Sequence, residues 1–251
     1  MANDIVLETS ALTKSFKGYL AVDRVNLRVR RNTIHALIGP NGAGKTTVFN
    51  LLTHFLPPTS GKIYHEGQDI THHSPMRIAR DGMVRSFQIS AVFPHMTVRE
   101  NIRLGLQSKL GLSFHFWRPL SYLALLEERV HELADTVGLA DVLNQPAGDL
   151  PYGRKRTLEI ATTLALEPRM LLLDEPTSGL GTEDVGRVTE LIRSASRNRT
   201  VLMVEHNMAV VANLSHTITV MQQGGVLAEG EYAAISKDPR VMEAYVGTSH
   251  A

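Results

Sequence analysis

Apolar and polar positions along the chain follow a few distinct rhythms, and each predicts an element. IHALI (Ile34 to Ile38), the leucines of LLLDEP (171 to 176) and the run TVLMVE from Thr200 are short, nearly continuous apolar stretches, the pattern of buried strands. After the first of them, Val48, Leu51, Leu52 and Phe55 recur at i, i+3, i+4 and i+7, which predicts one apolar face of a helix. Helical spacing returns in EERVHELADTVGLADVL. Near the C-terminus TITVMQQGGVLAEG alternates, a hairpin pattern with Gly224 and Gly225 at the turn, and a short helix is expected after it.

One of these runs ends oddly. Leu171 to Leu173 lead straight into Asp174 and Glu175, whose adjacent charges repel each other and resist desolvation. Either the pair is solvated or it manages a cation. Bulk composition narrows the setting: 251 residues with 43% hydrophobic and 20% charged content can bury a substantial core. With 26 basic against 25 acidic residues, nothing in the charge balance favours nucleic acid as a partner. The absence of cysteine excludes disulfides, thiolate catalysis and cysteine-bound zinc, and suits a reducing compartment. The start, MANDIVLETSAL, lacks a basic-then-apolar leader, and no stretch approaches the ~20 apolar residues of a spanning helix, so a membrane role is expected by docking.

A partner for the acidic pair stands upstream. Gly39, Gly44, Lys45 and Thr46 satisfy G-x-x-x-x-G-K-[ST] between the Ile34 to Ile38 strand and the predicted helix, which is the context of a phosphate loop. Glycines allow consecutive backbone N–H groups to turn toward phosphates, Lys45 adds a point charge, and the Thr46 hydroxyl can ligate magnesium. The helix start then faces the anion with its dipole. In a parallel sheet, a neighbouring strand can deliver Asp174 to the metal and Glu175 to an attacking water, which favours hydrolysis over transfer to a substrate hydroxyl. A guanine-reading N-K-x-D is missing.

The stretch GDLPYGRKRTLEIATTLALEPRMLLLDEPTSGL resembles the ATP-binding subunits of ATP-binding cassette (ABC) transporters. That resemblance covers nearly the whole chain. It implies an α/β fold with a RecA-like P-loop NTPase core of mostly parallel sheet, an antiparallel β flank near residues 5 to 33, and an inserted α-helical subdomain. Residues 1–91 and 165–251 would form the core lobe of a single 1–251 domain, and 92–164 the helical lobe. The nucleotide contacts implied are Phe16, at the adenine, and Gly39, Asn41, Gly42, Ala43, Gly44, Lys45, Thr46 and Thr47 around the phosphates of ATP. Thr46, Gln88 and Asp174 would serve Mg2+, Glu175 would be catalytic, and His206 would match the switch histidine that contacts the terminal phosphate. Leu150 to Arg154 occupy the place of the family signature, usually LSGGQ, so Pro151, Tyr152 and Gly153 would face the ATP of a second subunit in a head-to-tail dimer.

Two departures stand out. Pro151 replaces the usual signature serine, and Ser178-Gly179-Leu180-Gly181 lacks the aspartate of the usual S-A-L-D. Within the family, RIARDGMVRSFQ, FPHMTVRENI, VEHNM and DPRVMEAYVG look most like the ATPase subunits of branched-chain amino acid importers. The implied assembly has two ATPase subunits, identical or different, beneath two permease subunits at the cytoplasmic face of the cell membrane, fed by an external binding protein, with no nucleic acid. An export cassette, for instance for lipopolysaccharide, and a nucleotide-binding regulatory module with little turnover are the alternative readings. His65, His72 and His73 are expected at the surface, and Phe114, Phe116 and the single Trp of SFHFWRPL in the packing of the helical lobe, a docking face for a membrane partner being the alternative.

Overall fold

The fold is that of a computed structural model describing residues 4–86, 92–109 and 120–246. In chain order its elements are β1 (Ile5–Phe16), β2 (Tyr19–Val25), β3 (Arg28–Arg30), β4 (Ile34–Ile38), α1 (Lys45–Leu52), β5 (Ser60–His65), β6 (Gln68–Asp69), α2 (Pro75–Arg80) and β7 (Met83–Ser86). Then come α3 (Val98–Lys109), α4 (Leu120–Val137), α5 (Tyr152–Leu164), β8 (Met170–Asp174), α6 (Thr182–Ser196), β9 (Thr200–Val204), α7 (Met208–Leu214), β10 (Thr217–Gln222), β11 (Gly225–Gly230), α8 (Tyr232–Ile235) and α9 (Pro239–Val246). They form two compact units, 1–85 with 169–178 and 196–251, and 86–168 with 179–195. The second unit therefore takes in residues 179–195 as well as the segment expected to form a helical lobe.

The first unit holds two sheets. One is antiparallel, in the order β2-β1-β5-β6 with β3 also on β1, and includes the expected N-terminal flank. The other runs β11-β10-β4-β9-β8-β7, and its centre is parallel. Strands β4, β8 and β9 are buried at every residue, which is why their sequences are continuous rather than alternating. Between them α1 buries Val48, Phe49, Leu51 and Leu52 in a core that draws on both sheets. Phe55, expected on the same helical face, instead lies beyond the helix and is 50% exposed. Thr53 caps α1 and His54 turns left-handed (φ 55°), so the chain leaves the helical path before the next turn can form.

The β10–β11 hairpin is present, but its turn is Gln223 and Gly224, both at positive φ as a tight turn between right-twisted strands requires, rather than the expected Gly224 and Gly225; Gly225 pairs with Gln222 as the first residue of β11. His65 departs from expectation: it is 4% exposed on β5, and desolvation lowers its pKa. His72 is exposed. Among the described residues no group of three His, Asp or Glu side chains could hold a metal ion. The SFHFWRPL segment lies outside the described residues up to Pro119.

In the second unit α3, α4 and α5 pack on one another. Thr97 and Glu100 form a reciprocal capping box at the start of α3, with Thr97 N–H donating to Glu100 at 2.8 Å and Glu100 N–H to Thr97 Oγ1 at 3.2 Å. The Asn101 amide, 2% exposed, donates to the carbonyls of Phe93, Met96 and Thr97, tying the preceding loop to the helix.

A buried histidine gives the first unit a pH limit. His35 on β4 is 1% exposed, and its Nε2 lies 2.7 Å from Thr219 Oγ1, which donates to Glu229 at 2.6 Å; the imidazole N–H therefore donates to the hydroxyl. Burial pushes its pKa down to about 4. The unfolded chain thus binds this proton first: stability is complete above pH ~6.5 and falls by roughly 1 kcal/mol per pH unit as pH drops from there toward 4. Urea unfolding at pH 7, 5.5 and 4.5 should show that slope, and His35→Asn should flatten it.

Candidate functional site

The register of the parallel sheet assembles the site. Leu37 pairs with Val204 and Val204 with Asp174, so β4, β9 and β8 end at one level and their loops emerge side by side. The loop after β4 is Gly39 to Gly44, the loop after β8 begins at Glu175, and Glu205 and His206 follow β9. Asn41, Gly42, Ala43, Gly44, Lys45, Thr46 and Thr47 line one cavity of about 300 Å³ together with Glu175, His206, Tyr19 and Ala21.

Backbone shape in this loop leaves no choice of residue at two points. A Cβ on Gly39 would stand 2.2 Å from the Met221 carbonyl oxygen, and one on Gly44, at φ 99°, 2.5 Å from that of Ala21. Gly44 caps α1 without a side chain, and the first turn of α1 carries no acid, so the positive end of the helix is left uncompensated at the cavity. Lys45 is buried, and its Nζ donates to the carbonyls of Gly39 (2.7 Å) and Pro40 (2.9 Å). Burial lowers its pKa, opposed by the charges of Glu175 and Asp174. The partly buried Tyr245 of α9 hydrogen-bonds the Gly39 backbone; desolvation raises its pKa and that bond opposes the rise.

Asp174 and Glu175 have separate environments, which resolves the adjacent charges. Asp174 is fully buried and paired with Arg85 of β7, whose guanidinium also donates to Asn50 (2.6 Å) and stacks 5.6 Å over the Phe49 ring. Glu175 turns left-handed (φ 46°), donates its N–H to the Val204 carbonyl at 2.9 Å, and points its carboxylate at the cavity, where His206 Nε2 lies 2.9 Å away. Thr46 lines the cavity while Asp174 does not, and both carry oxygen donors of the kind that suits Mg2+.

Phe16 ends β1, 43% exposed beneath the Lys14 ammonium at 5.2 Å, and is not part of the cavity wall; its cross-strand partner Tyr19 is. Gln88 lies outside the described residues. Pro151, Tyr152 and Gly153 belong to the second unit, where Pro151 caps α5 without a side-chain bond and Tyr152 is 60% exposed. Sequence reasoning missed Arg85 and Tyr19, and it assigns no role to Glu205 beside His206. Arg85 is one residue of the four-residue strand β7, which carries no clear alternation, so no local signal distinguishes it.

The residues 22–178 match the ABC transporter family model, and 226–251 the model for the branched-chain amino acid ATP-binding cassette transporter. The chain is 42% identical over 251 residues to the high-affinity branched-chain amino acid transport ATP-binding protein BraF of Pseudomonas aeruginosa, covering 96% of this chain and 98% of BraF. It is 39% identical over 249 residues to the corresponding protein LivG of Escherichia coli, with 96% and 98% covered. A nucleotide-free ATP-binding cassette from an ABC transporter superposes with a TM-score of 0.84 at 28% identity, covering 96% of this chain and 98% of that one. The structure of an ATP-binding cassette of an ABC transporter in its ADP conformation gives 0.85 at 28%, with 98% and 100% covered.

Proposed function

The chain belongs to the ABC transporter ATP-binding family, and we propose that it hydrolyses ATP to power import of branched-chain or related amino acids. The observation that carries this reading is the near full-length likeness to BraF and LivG, joined to a cavity that gathers Lys45, Thr46, Glu175 and His206. The phosphates of ATP would lie along the 39–47 loop at the start of α1, with Lys45 exchanging its carbonyl partners for phosphate oxygens. Thr46, Asp174 and Gln88 would hold Mg2+, which supplies charge neutralisation at the phosphate oxygens. Glu175 would take the proton of the attacking water, and His206, at 2.9 Å, would orient Glu175 and reach the terminal phosphate. Phe16 would flank the adenine, beside Tyr19 in the cavity wall.

The assembly we propose contains a second ATPase subunit, identical or different, two permeases and an external binding protein, with this chain at the cytoplasmic face of the membrane and no nucleic acid bound. Among the described residues no helix is long and apolar enough to cross a membrane, in keeping with a subunit that docks on permeases. Pull-down of the tagged chain from native membranes tests the assignment: branched-chain-type import permeases should co-purify, and recovery of exporter permeases alone, or of none, would overturn it.

Half of each catalytic site would come from the partner, through Pro151, Tyr152, Gly153 and the N-terminus of α5 in the lobe proposed over 92–164. Hydrolysis per molecule should therefore rise with concentration. Gly153→Asp should cut turnover at least about tenfold by setting a carboxylate against the partner's phosphate. A Cβ on Gly153 would also stand 2.2 Å from the Asp184 carboxylate of the same chain, so the substitution is best made together with Asp184→Ala, the single Asp184→Ala serving as reference. A flat rate per molecule, or full activity in the double variant, would refute the shared site.

A further inference from the structure

We infer that Glu205, the residue before His206, is a positioning residue that sets the alignment of Glu175 with His206. Its side chain is 2% exposed, yet among the described residues no Lys, Arg or His forms an ion pair with it. A carboxylate in such a place needs several donors to offset its lost hydration, and here it has four. Oε1 accepts from the Thr177 N–H at 3.0 Å and from the Thr177 hydroxyl; Oε2 accepts from the N–H groups of His206 (2.8 Å) and Asn207 (3.0 Å).

Those donors come from two different loops. Thr177 lies two residues after Glu175, and His206 and Asn207 follow β9, so one carboxylate clamps the chain leaving β8 to the chain leaving β9. What is clamped is a costly conformation. Glu175 sits at φ 46°, a left-handed geometry that a residue with a Cβ keeps only when its surroundings over-determine it. Two further restraints point the same way: Ser178 N–H donates to the Glu175 carbonyl at 3.1 Å, and the Asn207 side chain caps α7 by accepting from the N–H groups of Ala209 and Val210. With both loops held, the Glu175 carboxylate and His206 Nε2 meet at 2.9 Å over the cavity. Glu205 itself is not part of the cavity wall, so it acts through these two groups and touches no substrate.

This inference rests on the reading of Glu175 as the base, and the test separates the two. Glu205→Gln keeps the shape but turns one acceptor oxygen into an amide N–H2 facing N–H donors, so at least one loop must shift. In the purified full chain, at a concentration where the rate per molecule has levelled off, kcat for ATP hydrolysis should fall at least about tenfold, since misplacement by an ångström can cost a hundredfold. ATP affinity by calorimetry should stay within about twofold, because the 39–47 loop and Lys45 are untouched. Thr177→Val should lower kcat as well, and the double variant should lose less than the product of the single losses, as expected for two ends of one clamp. A kcat near the parental value in Glu205→Gln, a fall in affinity matching the fall in kcat, or additive losses would overturn the positioning role. Glu175→Gln is measured alongside. If it is inert while Glu205→Gln is normal, the clamp alone is refuted; if it turns over normally, the base assignment fails and the clamp with it.

Discussion

Glu175→Gln is expected to bind MgATP normally and to hydrolyse it about 10²-fold more slowly or worse, the scale of losing a general base. Gln preserves the volume of the side chain, so the backbone at φ 46° and the Glu175 N–H bond to Val204 are retained. What disappears is the one anionic group of the cavity wall among the described residues, held by His206 at 2.9 Å. Asp174 cannot substitute for it, because that carboxylate is fully buried and engaged with Arg85. Phosphate release and calorimetric titration with MgATP, made on the same preparation, separate turnover from binding. Turnover at the parental rate would place the base elsewhere.

The second large effect concerns binding. Lys45→Ala should weaken ATP affinity by at least roughly 10²-fold, since hydrogen bonds from a charged donor are worth about 1.5–3 kcal/mol each and Nζ has donors for more than one phosphate oxygen. The ammonium is already in place, held over the loop by the Gly39 and Pro40 carbonyls. Loss of fold is not the expected cause of the defect. Burial disfavours the charged form of Lys45, so its removal relieves a desolvation cost even as it deprives two carbonyls of a donor. Calorimetry with MgATP and thermal unfolding of the free variant check both halves; parental affinity would refute the role assigned to the loop.

Much of the architecture was legible because it is written in short-range patterns. Continuous apolar runs announced β4, β8 and β9, the alternation and glycines near 224 announced the β10–β11 hairpin, and the glycine spacing before Lys45 announced the phosphate loop. The same approach failed where one or two residues redirect the chain. Phe55 has the spacing of a helical face, but the left-handed turn at His54 ends the helix first, and periodicity carries no information about that turn. His65 was expected outside because histidine is often solvated, yet its place on β5 buries it.

By itself, then, the sequence determined the central strands β4, β8 and β9, the C-terminal hairpin, the loop that can cradle phosphate and the acidic pair at the end of β8, since each depends on neighbours a few residues away. Tertiary structure alone decided how those parts meet. The pairing of Arg85 with Asp174 spans 89 residues, and that of Glu205 with Thr177 spans 28. Phe16 and Tyr19 pair across the β1–β2 turn, yet Tyr19 and not Phe16 is in the cavity wall. The reason is physical: a buried charge must find its counter-charge or its donors, and which groups can supply them is set by the order and register of the sheet strands. Local patterning makes a strand, but the parallel register of Leu37, Val204 and Asp174 is what brings the three loops to one point.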